Sequence, residues 1–317
     1  MIGFYNKGRK SREIKWCIYR LGGSDSMNIE DDIYKELVKL GLVNREMIDL
    51  AEMRNKDGIY LYRISYDDNY YVLKYFLNEE YKREIQNYYI LKELSIPTIK
   101  VIAYTDKALL LEDIDENTDY RLGIESDLSD IEVARSLAKW YIKLHKEGTK
   151  YIAKKGSKLY REIDVITKDN IELIRNKSNT EDNEVWDLII NNLDLIFKKI
   201  KDLGETITYN DFYFTNLIVS NDKGQAIMFD YNLLGIGFKY SDIRNVCSSL
   251  STEAGKAFIE EYGQINEAEQ VIDEGTAILV NLIFAYQRPE FPKWAKDSLE
   301  SIHNGELQNA INKIIEL

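Results

Sequence analysis

The 317-residue chain contains three prolines, two cysteines and two histidines, and each scarcity removes a class of protein. Cys17 and Cys247 cannot make a disulfide framework, and neither lies in a CxxC or Cys/His cluster with metal-ligand spacing. A reducing cytoplasm is the expected compartment. There is no Pro/Gly/Ser-rich tract, low-complexity segment or internal repeat, which excludes a flexible tether between parts of the chain. Nothing approaches the roughly 18–20 uninterrupted apolar residues that span a membrane. No apolar run follows the basic residues of the N-terminal segment to act as a signal-peptide core. The expectation is a soluble protein, neither secreted nor membrane-inserted.

Positive charge is also in short supply. Against 54 Asp+Glu stand 42 Lys+Arg, a net charge of −12, whereas nucleic-acid binders concentrate basic surface and draw affinity from counterion release. Nucleic acid is therefore not an expected partner. Only residues 1–27 are locally basic, with six Lys/Arg against Glu13 and Asp25, which reads as a solvated leader strapped to the fold by Trp16, Ile18 and Tyr19. What the chain does have is a 44% hydrophobic content, ample for a core in one large domain or two lobes.

Aromatic and β-branched runs at 48–54, 59–64 and 70–76 are separated by the turns Asn55-Lys56-Asp57-Gly58 and Asp67-Asp68-Asn69, the pattern of an antiparallel meander. Asn78 then precedes a helical pattern, Tyr81, Ile85, Tyr88, Tyr89, Leu91 and Leu94, that Pro97 stops. Strands at 99–104 and 108–111 complete a small α+β unit of five strands and one helix. After Glu112-Asp113 the periodicity becomes helical, beginning with Ile131, Ala134, Leu137, Ala138, Tyr141 and Leu144. Further helices are expected at about 157–175, 182–202, 240–262, 266–287 and 294–315. One β-rich island, 206–229, interrupts them.

That island carries the chemistry. Asp211, Asn216 at the head of a strand, and Asp230 at the end of the partner strand across the turn Asn221-Asp222-Lys223-Gly224 place three oxygen-bearing side chains at one end of a hairpin. Hard cations such as Mg²⁺ take that donor set, completed by water and phosphate oxygens. The remaining carboxylate, Asp211, can orient a hydroxyl and accept its proton. Gly22-Gly23-Ser24 reads as a plain turn before a helix, and His145 as a packed or hydrogen-bonded helix residue.

With a Lys on the third strand and a Glu ten residues later in the next helix, the chain from about Asp49 to Asn245 resembles the aminoglycoside phosphotransferase and choline kinase branch of the protein-kinase-like fold. The family's loop, His-Gly-Asp-x4-Asn followed by two further Asp residues, reads here as Tyr209-Asn210-Asp211-x4-Asn216, Asp230 and Asp242. The resemblance implies a bilobal α+β fold. A five-stranded antiparallel N-lobe with one main helix (1–112) would bind nucleotide, and a larger, mostly helical C-lobe (113–317) would bind the acceptor. It implies Asp211 as catalytic base, Asn216 and Asp230 as Mg²⁺ ligands, Lys74 on the α/β-phosphates with Glu84 as its partner, and Glu112, Asp113 and Ile114 as the hinge whose backbone binds adenine. Asp242 would cap a helix and brace the loop.

The implied activity is transfer of the γ-phosphoryl of ATP or GTP to a hydroxyl of a small molecule. Tyr209 and Asn210 replace the family His and Gly, which implies altered support of the loop rather than loss of activity, while Asn55-Lys56-Asp57-Gly58 lacks the Gly-x-Gly-x-x-Gly pattern and leaves nucleotide choice open. Residues 253–317 hold twelve Asp/Glu against five Lys/Arg (5 − 12 = −7). In this fold they would either line the acceptor side, favouring a cationic acceptor, aminoglycoside-like or a choline- or ethanolamine-type amine, with a sugar kinase as the alternative, or form an ordinary solvated face. A pseudokinase that binds nucleotide without turnover is the competing class. A protein kinase is disfavoured because the span from Asp230 to Asp242 is too short for an extended activation segment.

Overall fold

The computed structural model describes residues 24–155 and 159–317. The basic leader, up to residue 23, lies outside the described residues, as do Cys17 and the Gly22-Gly23 pair. Helix α1 (Ser24–Lys39) opens the fold, followed by β1 (Ile48–Lys56), β2 (Ile59–Tyr66), β3 (Asn69–Phe76), α2 (Arg83–Glu93), β4 (Val101–Tyr104) and β5 (Ala108–Glu112). The five strands form one antiparallel sheet in the order β1-β2-β3-β5-β4. Its two-residue turns explain the tight meander. Asp57-Gly58 and Asp67-Asp68 all sit at positive φ, the geometry whose twist matches that of the flanking strands.

Alternation splits the sheet between two cores. Ile64, Leu73, Tyr75 and Leu110 face Ile33 and Leu37 of α1, while Phe76, Leu109 and Leu111 face Ile85, Tyr88 and Leu91 of α2. The second core continues without a break into the helical lobe through Tyr231, Leu217 and Met228. Lys74 lies on that same face, between Val72 and Phe76.

Beyond β5 come β6 (Tyr120–Leu122), α3 (Ile131–Lys155), α4 (Lys168–Lys177), α5 (Val185–Asn191), α6 (Leu193–Asp202), β7 (Thr206–Thr208), β8 (Leu217–Ser220), β9 (Ala226–Met228), β10 (Gly235–Gly237), α7 (Lys239–Cys247), α8 (Thr252–Tyr262), α9 (Glu267–Tyr286), α10 (Lys296–His303) and α11 (Glu306–Glu316). The expected island proves to be parts of two sheets. β8 and β9 pair as the predicted hairpin with β6 added at its edge, whereas β7 pairs with β10. β6 and β10, three residues each, are too short for a period to show. The helix expected from 157 starts only at Lys168. Before it, Tyr160 bridges to Gly235, with Ile236 N donating to Tyr160 O at 2.7 Å. A Cβ on Gly235 would fall 2.4 Å from that carbonyl, so the close approach depends on glycine. The regions 182–202, 240–262 and 294–315 each divide into two helices, the last at Asn304-Gly305, where Gly305 takes φ +83°.

Helix α3 forms the spine of the larger lobe, burying Ala134, Leu137, Ala138, Tyr141 and Leu144 of the predicted stripe together with Val133, while Ile131, in its first turn, is exposed. Gly148 continues that face, and there β7 crosses so closely that a Cβ would meet Ile207 N at 2.7 Å and Ile207 Cβ at 2.8 Å. Gly148→Ala should therefore destabilise the protein. Helix propensity favours Ala by about 1 kcal/mol, but overpacking against a backbone atom costs about 1–3 kcal/mol, so denaturant unfolding should show a net loss. A gain in stability would contradict the packing. Among the described residues no helix is long and apolar enough to cross a membrane.

Candidate active site

Three elements converge on one ammonium. Lys74 on β3, 5% exposed, lies 2.6 Å from Glu84 Oε2 on α2 and 2.8 Å from Asp230 Oδ1 after β9. Asn232 Nδ2 also donates to Asp230 Oδ1, at 3.0 Å. Burial works against the Lys74 charge, yet Asp230 and Glu84 outweigh it and its pKa ends raised. Burial pushes Glu84 up to about 7 against the pull of Lys74. Burial would raise Asp230 as well, but the charge and hydrogen bond of Lys74 and the Asn232 amide hold it below the usual carboxylate value. Helix α2 is fixed to the same strand end by Asn87 Nδ2, which donates to Tyr231 O at 2.8 Å, and by the edge-on Tyr88–Tyr231 pair.

The loop 209–216 is hung from a buried carboxylate. Asp242 on α7, 1% exposed, accepts from Tyr209 N (2.8 Å) and His145 Nε2 (3.0 Å) on one oxygen and from Asn210 N (2.8 Å) on the other. His145 is itself held at Nδ1 by the Tyr262 hydroxyl, 2.7 Å away. The two departures from the family motif have local solutions. Asn210 adopts φ +65°, a left-handed conformation that Asn tolerates best after Gly, and its Nδ2 donates to Leu233 O at 3.0 Å. Tyr209 is wholly buried, and its hydroxyl donates to the carbonyl of Phe229, the residue before Asp230. Edge-on contacts link Tyr209 to Trp140, Tyr141 and Tyr231, so in this cluster the tyrosine excess is core.

Asp211 follows directly. Asn216 Nδ2 donates to both its carbonyl and its Oδ2, each at 3.2 Å, and Phe229 N donates to Asn216 O at 3.0 Å, tying the two ends of the β8–β9 hairpin together. Burial, then the charge of Asp230, push Asp211 up to about 6, against Lys74 and the Asn216 amide. Glu84 and Asp230 pair with the one ammonium and Asp211 lies within reach of its charge, an excess of two negative charges when all are ionised, which a divalent cation would balance. Asn216 spends its NH₂ on Asp211 and keeps a carbonyl oxygen for a ligand. With Asp230 this is a hard-oxygen donor pair of the kind Mg²⁺ takes alongside phosphate oxygens. Among the described residues no group of three or more His, Cys, Asp or Glu could hold a metal by itself.

At the hinge the side chains are already committed. Glu112 accepts from Lys100 N (2.8 Å) and Asn117 Nδ2 (3.0 Å), and its own N donates to Lys100 O. Asp113 binds Arg63 and caps the following turn through Asp115 N at 3.1 Å, and the Ile114 side chain is buried. Among the described residues the amides of Asp113 and Ile114 make no hydrogen bond, whereas that of Glu112 is spent on Lys100 O.

A cavity of about 480 Å³ adjoins the loop at Asn210, lined by α6, β10, α7, α9 and the segment 161–164. Of the twelve acidic residues in 253–317 only Asp273 reaches it, and Asp273 is paired with Arg244. The expected acidic wall is thus mostly outer surface. Two carboxylates in the cavity lack a hydrogen bond or ion pair among the described residues: Asp164, which is exposed, and Glu162, which is mostly covered and was missed because the segment's apolar spacing reads as helix. A glycine at 235 in a run without helix period was the only sequence sign of a close crossing.

No protein-family model matches the chain, and no curated protein matches it by sequence. Solved structures do match in fold. The choline kinase LicA from Streptococcus pneumoniae is 15% identical over 92% of this chain and 100% of its own, with a TM-score of 0.58. An ethanolamine kinase from Plasmodium vivax is 12% identical over 95% and 94%, at 0.59. The macrolide 2′-phosphotransferase MphH from Brachybacterium faecium is 12% identical over 86% and 98%, at 0.55. The chain has the bilobal, kinase-like α+β fold of these proteins.

Proposed function

We propose that the protein is a small-molecule kinase that transfers the γ-phosphoryl of ATP or GTP to an acceptor hydroxyl. The observation that carries this is the charge arrangement: a buried lysine held between Glu84 and Asp230, beside a carboxylate, Asp211, that is raised in pKa and fixed by Asn216. In this reading residues 1–112 hold the nucleotide, with adenine against the backbone of Asp113 and Ile114, and residues 113–317 supply the loop and the acceptor cavity. Glu84 aims Lys74 at the α/β-phosphates. Asn216 and Asp230 would hold Mg²⁺, which when bound neutralises charge on the phosphates. Asp211 orients the acceptor hydroxyl for in-line attack and takes its proton, and Asp242 keeps that loop in register.

Such a site works by positioning and electrostatics, with little covalent chemistry left to the protein. A screen of ATP and GTP consumption with Mg²⁺ over aminoglycosides, amino alcohols and sugars, with Asp211→Asn as the blank, should show turnover on at least one acceptor. Nucleotide-induced thermal stabilisation with no turnover across the panel would identify a non-catalytic nucleotide-binding module instead.

A further inference from the structure

The acceptor cavity is selective in what it leaves unpaired. Of its charged lining, Arg161 is bound to Glu205 and Arg244 to Asp273. Asp164 and Lys201 are exposed at the rim. The hydroxyls of Ser241 and Thr276 donate to the carbonyls of Phe238 and Ile272, at 2.9 and 2.8 Å. Glu162 is different: it lines the cavity, is mostly covered, and among the described residues makes no hydrogen bond or ion pair. Its position is imposed by its neighbours. Tyr160 is pinned to Ile236 N and lies under the Arg83 guanidinium, 4.9 Å from the ring centre, and Arg161 is held by Glu205.

The remaining walls are apolar, from Phe197, Ile200, Ile236, Phe238 and Val280. Only two of these residues are aromatic. A quaternary ammonium cannot donate a hydrogen bond and is recognised by a cage of aromatic faces, whereas a protonated primary or secondary amine can donate to a carboxylate and gain a charge-assisted bond. Building on the kinase reading, we infer that Glu162 determines acceptor specificity by binding a protonated primary or secondary amine on the molecule whose hydroxyl meets Asp211, and that N-trimethylated acceptors are discriminated against. The electrostatics agree. Burial disfavours the Glu162 anion despite Arg244, with Asp273, Asp242 and Asp211 adding like charge, so an incoming cation relieves an existing penalty.

The test uses two matched pairs, ethanolamine against choline and glucosamine against glucose, with steady-state kinetics on the full chain. The amine partner of each pair should be favoured by about tenfold or more in kcat/KM, the scale of one charge-assisted hydrogen bond. In Glu162→Gln the glucosamine/glucose ratio should fall by about ten- to a hundredfold, mainly through KM, while Glu162→Asp, which keeps the charge, should retain a preference. Choline used as well as ethanolamine, or an unchanged ratio in Glu162→Gln, would overturn the inference. Calorimetric titration of glucosamine and glucose into the wild type and Glu162→Gln, without nucleotide, separates the two readings. If no acceptor is turned over but glucosamine binds the wild type more tightly than the variant, the kinase reading fails and the amine site stands. Equal binding to both removes the site.

Discussion

Asp211→Asn should lower turnover by at least about 10²–10⁴-fold, the contribution of a positioned general base, with nucleotide binding retained. The substitution keeps the shape of the side chain and an oxygen for the Asn216 amide, now 3.2 Å from Oδ2, but removes the group that takes the proton. Stability should move the other way. Burial and Asp230 raise the folded-state pKa of Asp211 to about 6 from an ordinary 3.8. Above both values the ionised carboxylate is therefore disfavoured by folding, a cost absent below the lower one. In metal-free protein at pH 7.5 the amide should leave stability equal or higher. Loss of turnover with undiminished stability separates a chemical role from a structural one, and near-wild-type turnover would remove Asp211 from the chemistry.

Asp242→Ala should fail in the opposite sense, as a folding defect first. Its carboxylate satisfies Tyr209 N, Asn210 N and His145 Nε2 from a position 1% exposed, and each orphaned buried donor costs about 1–3 kcal/mol. A loss of about 3–5 kcal/mol in denaturant unfolding is expected, near the upper end for single substitutions. Any enzyme that folds should also turn over slowly, because a displacement of about 1 Å in a catalytic group can cost roughly 10²-fold. A loss below about 1 kcal/mol would show that the loop is held by something else, the Tyr209 hydroxyl being the next candidate.

The contrast between these residues shows what was readable in advance. Lys74, Glu84, Asp211, Asn216 and Asp230 stand out because each occupies a fixed place relative to an element of clear period: the third strand, the next helix, the two ends of a hairpin. His145 was legible as a hydrogen-bonded helix residue, though not as the side chain that shares Asp242 with the loop, since the two are far apart in the chain. Tyr209 and Asn210 promised a differently supported loop, without showing how. The structure shows a tyrosine hydroxyl bonded to Phe229 O and an Asn accepting a left-handed turn, substitutions whose adequacy depends on atoms that periodicity cannot locate.

Composition and local pattern by themselves determined the acidic, core-forming character of the chain, the three-strand meander and the two strands after it, the spine helix α3 and the order of the charged groups along the chain. Propensity and alternation act over a few residues, so short-range order suffices to reveal them. Tertiary structure alone decided the pairing of β7 with β10, the bridging of Tyr160 to Gly235 where a helix was expected, and the placement of Glu162 in a cavity that Asp273 alone of the C-terminal acidic residues reaches. Each of those is a contact between distant segments, settled by which backbone groups remain to be paired and how much room a glycine leaves, and no local period records either.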